Sequence, residues 1–269
     1  MAPRVLLLGG HGKIALLLTP RLLARSWNVT SVVRDAAHTE AIERLAAGQP
    51  GEINVLVRSL DDVDSPQVAQ SVLDETKPDY VVFAAGAGGK GGASRTYAVD
   101  RDAATHFIRA AVATPSVTKF LLVSYLGSRR ARAAWWSDDD WASVQRTNTQ
   151  VLPDYYQAKI VADECLTALA GRRVKEGDKG FQAVVLRPGT LTDDEGTGKV
   201  KLGKTGSAKV TRADVAEVIE RILVRDDVKG WVDLVQGSSD IGEELERIVR
   251  EGEDSVEGED VGEMEKKYL

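Results

Sequence analysis

Arg4-Val5-Leu6-Leu7-Leu8-Gly9-Gly10-His11-Gly12-Lys13-Ile14-Ala15 is the stretch that decides the fold. A short apolar run stops at a glycine cluster, and an apolar helical pattern over residues 14–24 begins at once. Gly10, Gly12 and Ala15 fit G-x-G-x-x-G/A, while Gly9, Gly12 and Ala15 also fit G-x-x-G-x-x-A. A strand, a glycine turn and a helix in that order hold the pyrophosphate of a dinucleotide. Side chains in the turn would keep the phosphates from the backbone N–H groups and the helix N-terminus. Gly9, Gly10, Gly12, Lys13 and Ile14 are therefore expected at the cofactor. An ordinary βα turn is the plainer alternative, and the flanking strand and helix weigh against it.

With 269 residues the chain has room for one large α/β domain but not for two comfortable ones. Apolar runs alternate with helical patterns, which predicts a single-domain Rossmann fold: a doubly wound, mostly parallel sheet with helices on both faces. Strands are expected over residues 28–34, 53–60, 79–85, 119–124, 181–187 and 231–235. Helices are expected over 39–47, 65–76, 98–113, 154–170, 212–224 and 241–249. Residues 1–250 form the expected domain, including a long loop at 127–152 that carries Trp135, Trp136 and Trp141. Three tryptophans argue against disorder, so this loop is expected to act as a lid or pocket wall. The alternative is an insertion packed on its own apolar face or on a partner subunit. Residues 190–210, rich in Gly, Lys and Thr, also break the alternation. The acidic tail, 251–269, reads as solvated and weakly ordered.

A net charge of −6 gives no general attraction to nucleic acid or to an anionic membrane. The single cysteine, Cys165, excludes an internal disulfide, suggests a reducing compartment and sits in a helical pattern as a structural thiol. His11, His38 and His106 lack ligand spacing, so no protein metal site is expected. No apolar run reaches about 18 residues, and none resembles a signal peptide, so the expected location is cytoplasmic.

Arg34 ends the second strand, where the adenosine ribose should lie. A guanidinium there pairs with a 2′-phosphate, which favours NADP(H) over NAD(H), although Asp35 stands next to it. Asp61 or Asp62 can accept from the adenine amino group or can cap a helix. Ala84, Ala85 and Gly86 are small enough to let the second ribose and nicotinamide pass close to the backbone. Tyr155 and Lys159, four apart on a helix, share a face. A phenol has an ordinary pKa of about 10, and a neighbouring ammonium brings it toward neutrality, where it can give or take a proton. Lys159 can also hold the nicotinamide ribose. Tyr-x-x-x-Lys alone is a common accident on amphipathic helices. Here it follows the glycine turn and a serine-bearing strand end, Val123-Ser124-Tyr125.

Together these residues resemble the short-chain dehydrogenase/reductase family from Arg4 to about Val249. Within it the chain is similar to the atypical, NmrA-like and biliverdin-reductase-B-like branch, whose members include fungal and bacterial proteins. Gly9–Ala15, Val33-Arg34, Leu186-Arg187-Pro188-Gly189-Thr190-Leu191 and Thr211-Arg212-Ala213-Asp214-Val215-Ala216 carry the resemblance. It implies an NADP-dependent oxidoreductase or epimerase whose Ser, Tyr and Lys map onto Ser124, Tyr155 and Lys159. It further implies Pro188 and Gly189 at the cofactor, and Trp135, Trp136, Thr190 and Leu191 at a small-molecule substrate. The family's serine has a variable offset, leaving Tyr125, Leu126 or Ser128 as alternatives. Asp100 stands where many members carry an asparagine that supports the lysine. Proton transfer by Tyr155 to a carbonyl, with Ser124 on the same oxygen, is the leading expectation. A non-catalytic NADP(H)-binding sensor is the second, and the oligomeric state is left open.

Overall fold

The computed structural model describes residues 2–88 and 91–269. Gly89 and Lys90, in the glycine-rich run after the fourth strand, lie outside the described residues. The parallel strands are β1 (Arg4–Leu8), β2 (Asn28–Val33), β3 (Glu52–Val57), β4 (Tyr80–Phe83), β5 (Lys119–Val123) and β6 (Gln182–Pro188). Next come β7 (Thr190–Thr192), β8 (Lys199–Gly203), β9 (Lys209–Thr211), β10 (Gly230–Gln236) and β11 (Ser239–Asp240). The main sheet runs β3-β2-β1-β4-β5-β6-β10 in parallel, with β8 and then β11 added antiparallel at one edge; β7 and β9 pair separately. The chain reverses its winding between β1 and β4, and such a switch point opens a crevice at the carboxyl ends of the strands.

Helices α1 (Lys13–Ala24), α2 (Thr39–Glu43), α3 (Pro66–Thr76), α4 (Gly92–Thr96) and α5 (Ala104–Ala113) alternate with the first strands. They are followed by α6 (Asp138–Arg146), α7 (Pro153–Lys175), α8 (Arg212–Val224), α9 (Ile241–Glu251) and α10 (Val261–Tyr268). The uninterrupted apolar run of β1 reflects burial on both faces. Leu6 and Leu8 face the core under α3, α5, α7 and α10, whereas Val5 and Leu7 face that under α1, α8 and α9. α3 begins where a Ser-Pro start signal stands: Ser65 caps it by accepting from Val68 N, with Pro66 in the first turn.

Three segments differ from expectation. Residues 127–152 are not a bare loop. Ser137 and Asp140 make a capping box for α6, and a π-helical turn, Thr147–Val151, joins it toward α7. Residues 190–210 supply β7, β8 and β9. The acidic tail is docked rather than solvated. Met264 of α10 is buried in the α7 core, and the buried Glu259 carboxylate accepts from Arg130 N at 3.2 Å and Ala131 N at 3.1 Å. The tail's negative charges answer the arginines of the loop after β5, a match visible only once the chain is folded.

Below the carboxyl end of the sheet, Arg187 of β6 is fully buried. Its Nε donates to Asp233 Oδ1 of β10, directly opposite in register, at 2.7 Å; its Nη2 donates to Leu126 O at 2.8 Å and its Nη1 to Ser128 O. Asp163 of α7 lies 3.9 Å away, and the guanidinium stacks over Trp231. Burial pushes the Asp233 carboxyl up to about 6, against the pull of Arg187. Removing one member of such a pair strands the rest in a low-dielectric interior, at a cost of about 3–5 kcal/mol. Arg187→Leu is therefore expected to lose stability of that order in urea unfolding, and a loss below about 1 kcal/mol would contradict this account.

Candidate active site

The glycine turn is shaped by close approaches that only glycine permits. Gly9 has φ +86°, and a Cβ there would stand 2.6 Å from Ala85 Cα on the segment leaving β4. A Cβ on Gly10 would stand 1.8 Å from Ser31 Oγ, and one on Gly12 would stand 3.0 Å from Gly9 O. Gly10 N donates to Val32 O at 2.9 Å, tying the turn to β2, and Gly12 N donates to Gly9 O at 2.8 Å. Gly12 is the N-cap of α1 and brings no capping side chain to the first-turn N–H groups, the kind of helix start that can take an anion. A turn a Cβ would fill, at an uncapped helix start, fits the pyrophosphate of a dinucleotide.

A cleft of about 680 Å³ runs across the strand ends from β3 to β5. Gly9, Gly12, Ile14, Arg34, Asp61, Ala84, Ala85, Gly86, Ser124, Tyr155 and Leu191 all line it. Other expected residues lie elsewhere. Gly10 packs against β2 behind the turn, and Lys13 points outward to pair with Asp193. Pro188 ends β6, and Gly189 and Thr190 donate their N–H groups to Leu234 O and Ala208 O, at 2.9 and 3.0 Å. A Cβ on Gly189 would meet Ala208 O at 2.1 Å, so this glycine serves backbone packing. Trp135 and Trp136 do not wall the cleft. Their indole N–H groups donate to Thr205 O at 3.1 and 2.7 Å, and Trp136 is buried with Leu126, Ala133 and Val144. These rings fasten the loop to the segment after β8.

At the β2–β3 end, Asp35 accepts from Ala37 N at 2.9 Å and so caps its own turn. Arg34, by contrast, lines the cleft with a half-exposed side chain 4.0 Å from Asp61. Asp61 rather than Asp62 faces the cleft, and it accepts from Arg95 Nε at 3.0 Å. Ser59 caps that 3₁₀ turn, so capping is not the role of Asp61. His11 and His38 also line this end, with stacked rings. Their separation in the sequence gave no sign of the pairing, which arises because β1 and β2 are neighbours.

At the other end stands Tyr155, its ring 5.1 Å from that of Tyr125. Lys159, on the same face of α7, is 1% exposed. Its Nζ donates to Val123 O at 2.8 Å and lies 4.0 Å from Asp100 Oδ1. The ammonium is thus spent beneath β5 and does not bring the phenol toward neutrality. Burial first, then the Asp100 and Asp163 carboxylates, push the Tyr155 phenol well above its ordinary range. Asp100 is itself pushed up by burial, with Lys159 pulling the other way; its Oδ2 accepts from Ala87 N at 2.9 Å. Ser124 lines the cleft, but its Oγ donates to Asp163 Oδ2 at 2.7 Å. Of the alternatives to it, Ser128 and Leu126 are buried away from the cleft, and Tyr125 donates to Asn148 Oδ1 at 2.8 Å.

A family model described as NAD(P)H-binding matches residues 9–226 of the chain. The chain belongs to this NAD(P)H-binding family. UPF0659 protein C216.03 of Schizosaccharomyces pombe is 32% identical over 252 residues, which cover 92% of this chain and 95% of that protein. Bacillus subtilis YhfK, named an uncharacterized sugar epimerase, is 30% identical over 172 residues, 63% of this chain and 69% of its own. The oxidoreductase ylbE of Lactococcus lactis superposes with a TM-score of 0.69 at 23% identity, covering 92% of this chain and 97% of that one. Within the NAD(P)H-binding family the chain is of the atypical short-chain dehydrogenase/reductase type, as its motifs and sheet order both indicate. The glycine turn, Arg34 and Asp61 would hold the nucleotide half of the cofactor, with Ala84, Ala85 and Gly86 beneath the nicotinamide half.

The glycine turn makes a stability test that needs no ligand. Gly10→Ala is expected to cost about 1–3 kcal/mol through overpacking against Ser31 Oγ. Among the described residues that hydroxyl has no hydrogen-bond partner, so Ser31→Ala relieves the clash without breaking a bond. The double variant should recover most of the loss in thermal or urea unfolding; no recovery would rule out this contact as the constraint.

Proposed function

We propose that the protein is an NADP(H)-dependent reductase of a carbonyl group on a small, partly apolar molecule, with Tyr155 as proton donor. The observation that carries this reading is one continuous cleft with the glycine turn and Arg34 at one end and Tyr155 at the other. The bound nicotinamide would supply the hydride. Arg34, with Asp35 engaged in its own turn, supports recognition of a 2′-phosphate over a free ribose hydroxyl. Tyr155 is the group that gives the proton. A phenol above its ordinary range is protonated at neutral pH, and it would hand its proton to the alkoxide that develops as hydride arrives, a stronger base than the phenolate left behind. Ser124 has committed its hydrogen to Asp163, so toward the cleft it offers an acceptor. Val151, Leu152 and Leu191 give the substrate end its apolar character. Burial pushes the Cys165 thiol up to about 11, as for a structural core side chain, and a chain with one cysteine and no internal disulfide suits the cytoplasm.

A second reading is a non-catalytic NADP(H) sensor of NmrA-like type. The inward engagement of Lys159 and Ser124, on Val123 O and Asp163, favours it. A panel of aldehydes, ketones and quinones with NADPH separates the two. Reduction is expected, with kcat lowered about 100-fold or more in Tyr155→Phe. Because the phenol's pKa is raised, the acid remains present as pH rises, so kcat should show no Tyr155-dependent fall between about pH 6 and pH 9. NADPH binding without turnover of any carbonyl would favour the sensor, and full activity in Tyr155→Phe would remove Tyr155 as the donor.

A further inference from the structure

We infer that His11 and His38 form a titratable subsite for the cofactor's 2′-phosphate, so that binding NADPH draws one proton from solvent while binding NADH does not. The inference rests on the reading of the cleft as an NADP(H) site and adds a mode of regulation to it.

The two imidazoles lie face to face, with ring centroids 3.6 Å apart and planes 7° from parallel. One comes from the glycine turn and the other from the turn after β2, and both line the cleft. Two imidazolium charges at that separation repel, so a stacked pair holds at most one proton near neutral pH. Partial burial first, and the His38 ring second, hold His11 below the usual histidine range. Without ligand, His11 is therefore weighted toward its neutral form.

The surrounding charges favour an anion. Arg34, Arg58 and Arg95 line the same corner, and Asp61 is the carboxylate that faces it. Asp61 is engaged by Arg95 at 3.0 Å and stands 4.0 Å from Arg34, while Arg58 reaches Glu75 at 3.5 Å. Of the neighbouring groups outside the cleft lining, Lys13 pairs with Asp193, Glu40 pairs with Arg44, and Asp35 is turned to Ala37 N. A phosphate dianion among these groups favours the protonated imidazole through charge and a charge-assisted hydrogen bond. An imidazole pKa that starts below neutrality and is raised by the ligand takes up a proton on binding. A ribose hydroxyl carries no charge and does not raise it. The histidine pair thus adds a pH-dependent preference for NADPH to the fixed one from Arg34.

Calorimetric titration at about pH 7.5, where the phosphate is a dianion, in two buffers of different ionisation enthalpy, counts the protons. Uptake approaching one proton is expected with NADPH and close to none with NADH. NADPH affinity should fall by up to about tenfold per pH unit above neutrality, in excess of any slope for NADH. The chain has three histidines, so proton NMR can follow each ring directly. Two titrations should move to higher pH with NADPH, and that of His106, on α5, should stay in place. In His11→Gln/His38→Gln the NADPH and NADH pH curves should run parallel. NADPH bound with no proton uptake and unmoved histidine titrations overturns the pair's role while leaving the cofactor reading intact. Binding of neither dinucleotide overturns both.

Discussion

A buried guanidinium organises the carboxyl end of this sheet. Arg187 of β6 sits where β10, α7 and the loop after β5 meet, and each of these three sends it a carboxylate or a carbonyl. An unpaired charge in that interior would be costly, so the four elements are held to positions at which all its partners are present. The geometry of the active end follows from this. α7 is fixed by Asp163, and the loop is fixed by its Leu126 and Ser128 carbonyls. Tyr155, two turns before Asp163, is thereby placed over the strand ends.

The same face of α7 divides its work along its length. Asp163 belongs to the buried network, Lys159 anchors the helix to β5 through Val123 O, and Tyr155 alone reaches the cleft. On this face of the helix, the two groups below Tyr155 hold it at the cleft. Burial first, and then the Asp100 and Asp163 carboxylates, raise the phenol, so charges that steady the helix also weigh on Tyr155.

The parallel strands were legible because burial on both faces demands uninterrupted apolar runs, as in Val5–Leu8 and Phe120–Val123. The glycine turn was legible because a close approach requires glycine whatever lies around it. β7, β8 and β9 were not, since each is only three to five residues long, too short to show a period, and their apolar residues pack in the core shared with α8 and α9. α10 was hidden because Met264 is its one buried residue among polar anchors such as Lys267 and Tyr268 on Glu164, and no period emerges from one residue. α6 did carry a readable signal, Ser137 three residues before Asp140. At the site, the spacing of Tyr155 and Lys159 established a shared face but not where the long lysine stem would end. Trp135 and Trp136 were misplaced for a similar reason. Their aromatic surface announces burial, whereas Thr205 O, on a distant segment, decides where they are buried.

The docked tail has a consequence for how the site comes apart. Arg129 donates to the carbonyl of Ser255, 126 residues further along the chain, and Tyr156 of α7 donates to the Arg129 carbonyl at 3.1 Å. Contacts of that span form late, once the chain between them has folded. Segments joined in this way tend to open as one cooperative unit, below the threshold of global unfolding. Among the described residues, these contacts of the tail fall on the loop after β5 and on α7, not on β1, β2 or the glycine turn. The two ends of the cleft are thus held by contacts of different reach, local ones between β1 and β2 at the glycine turn and chain-spanning ones beside Tyr155.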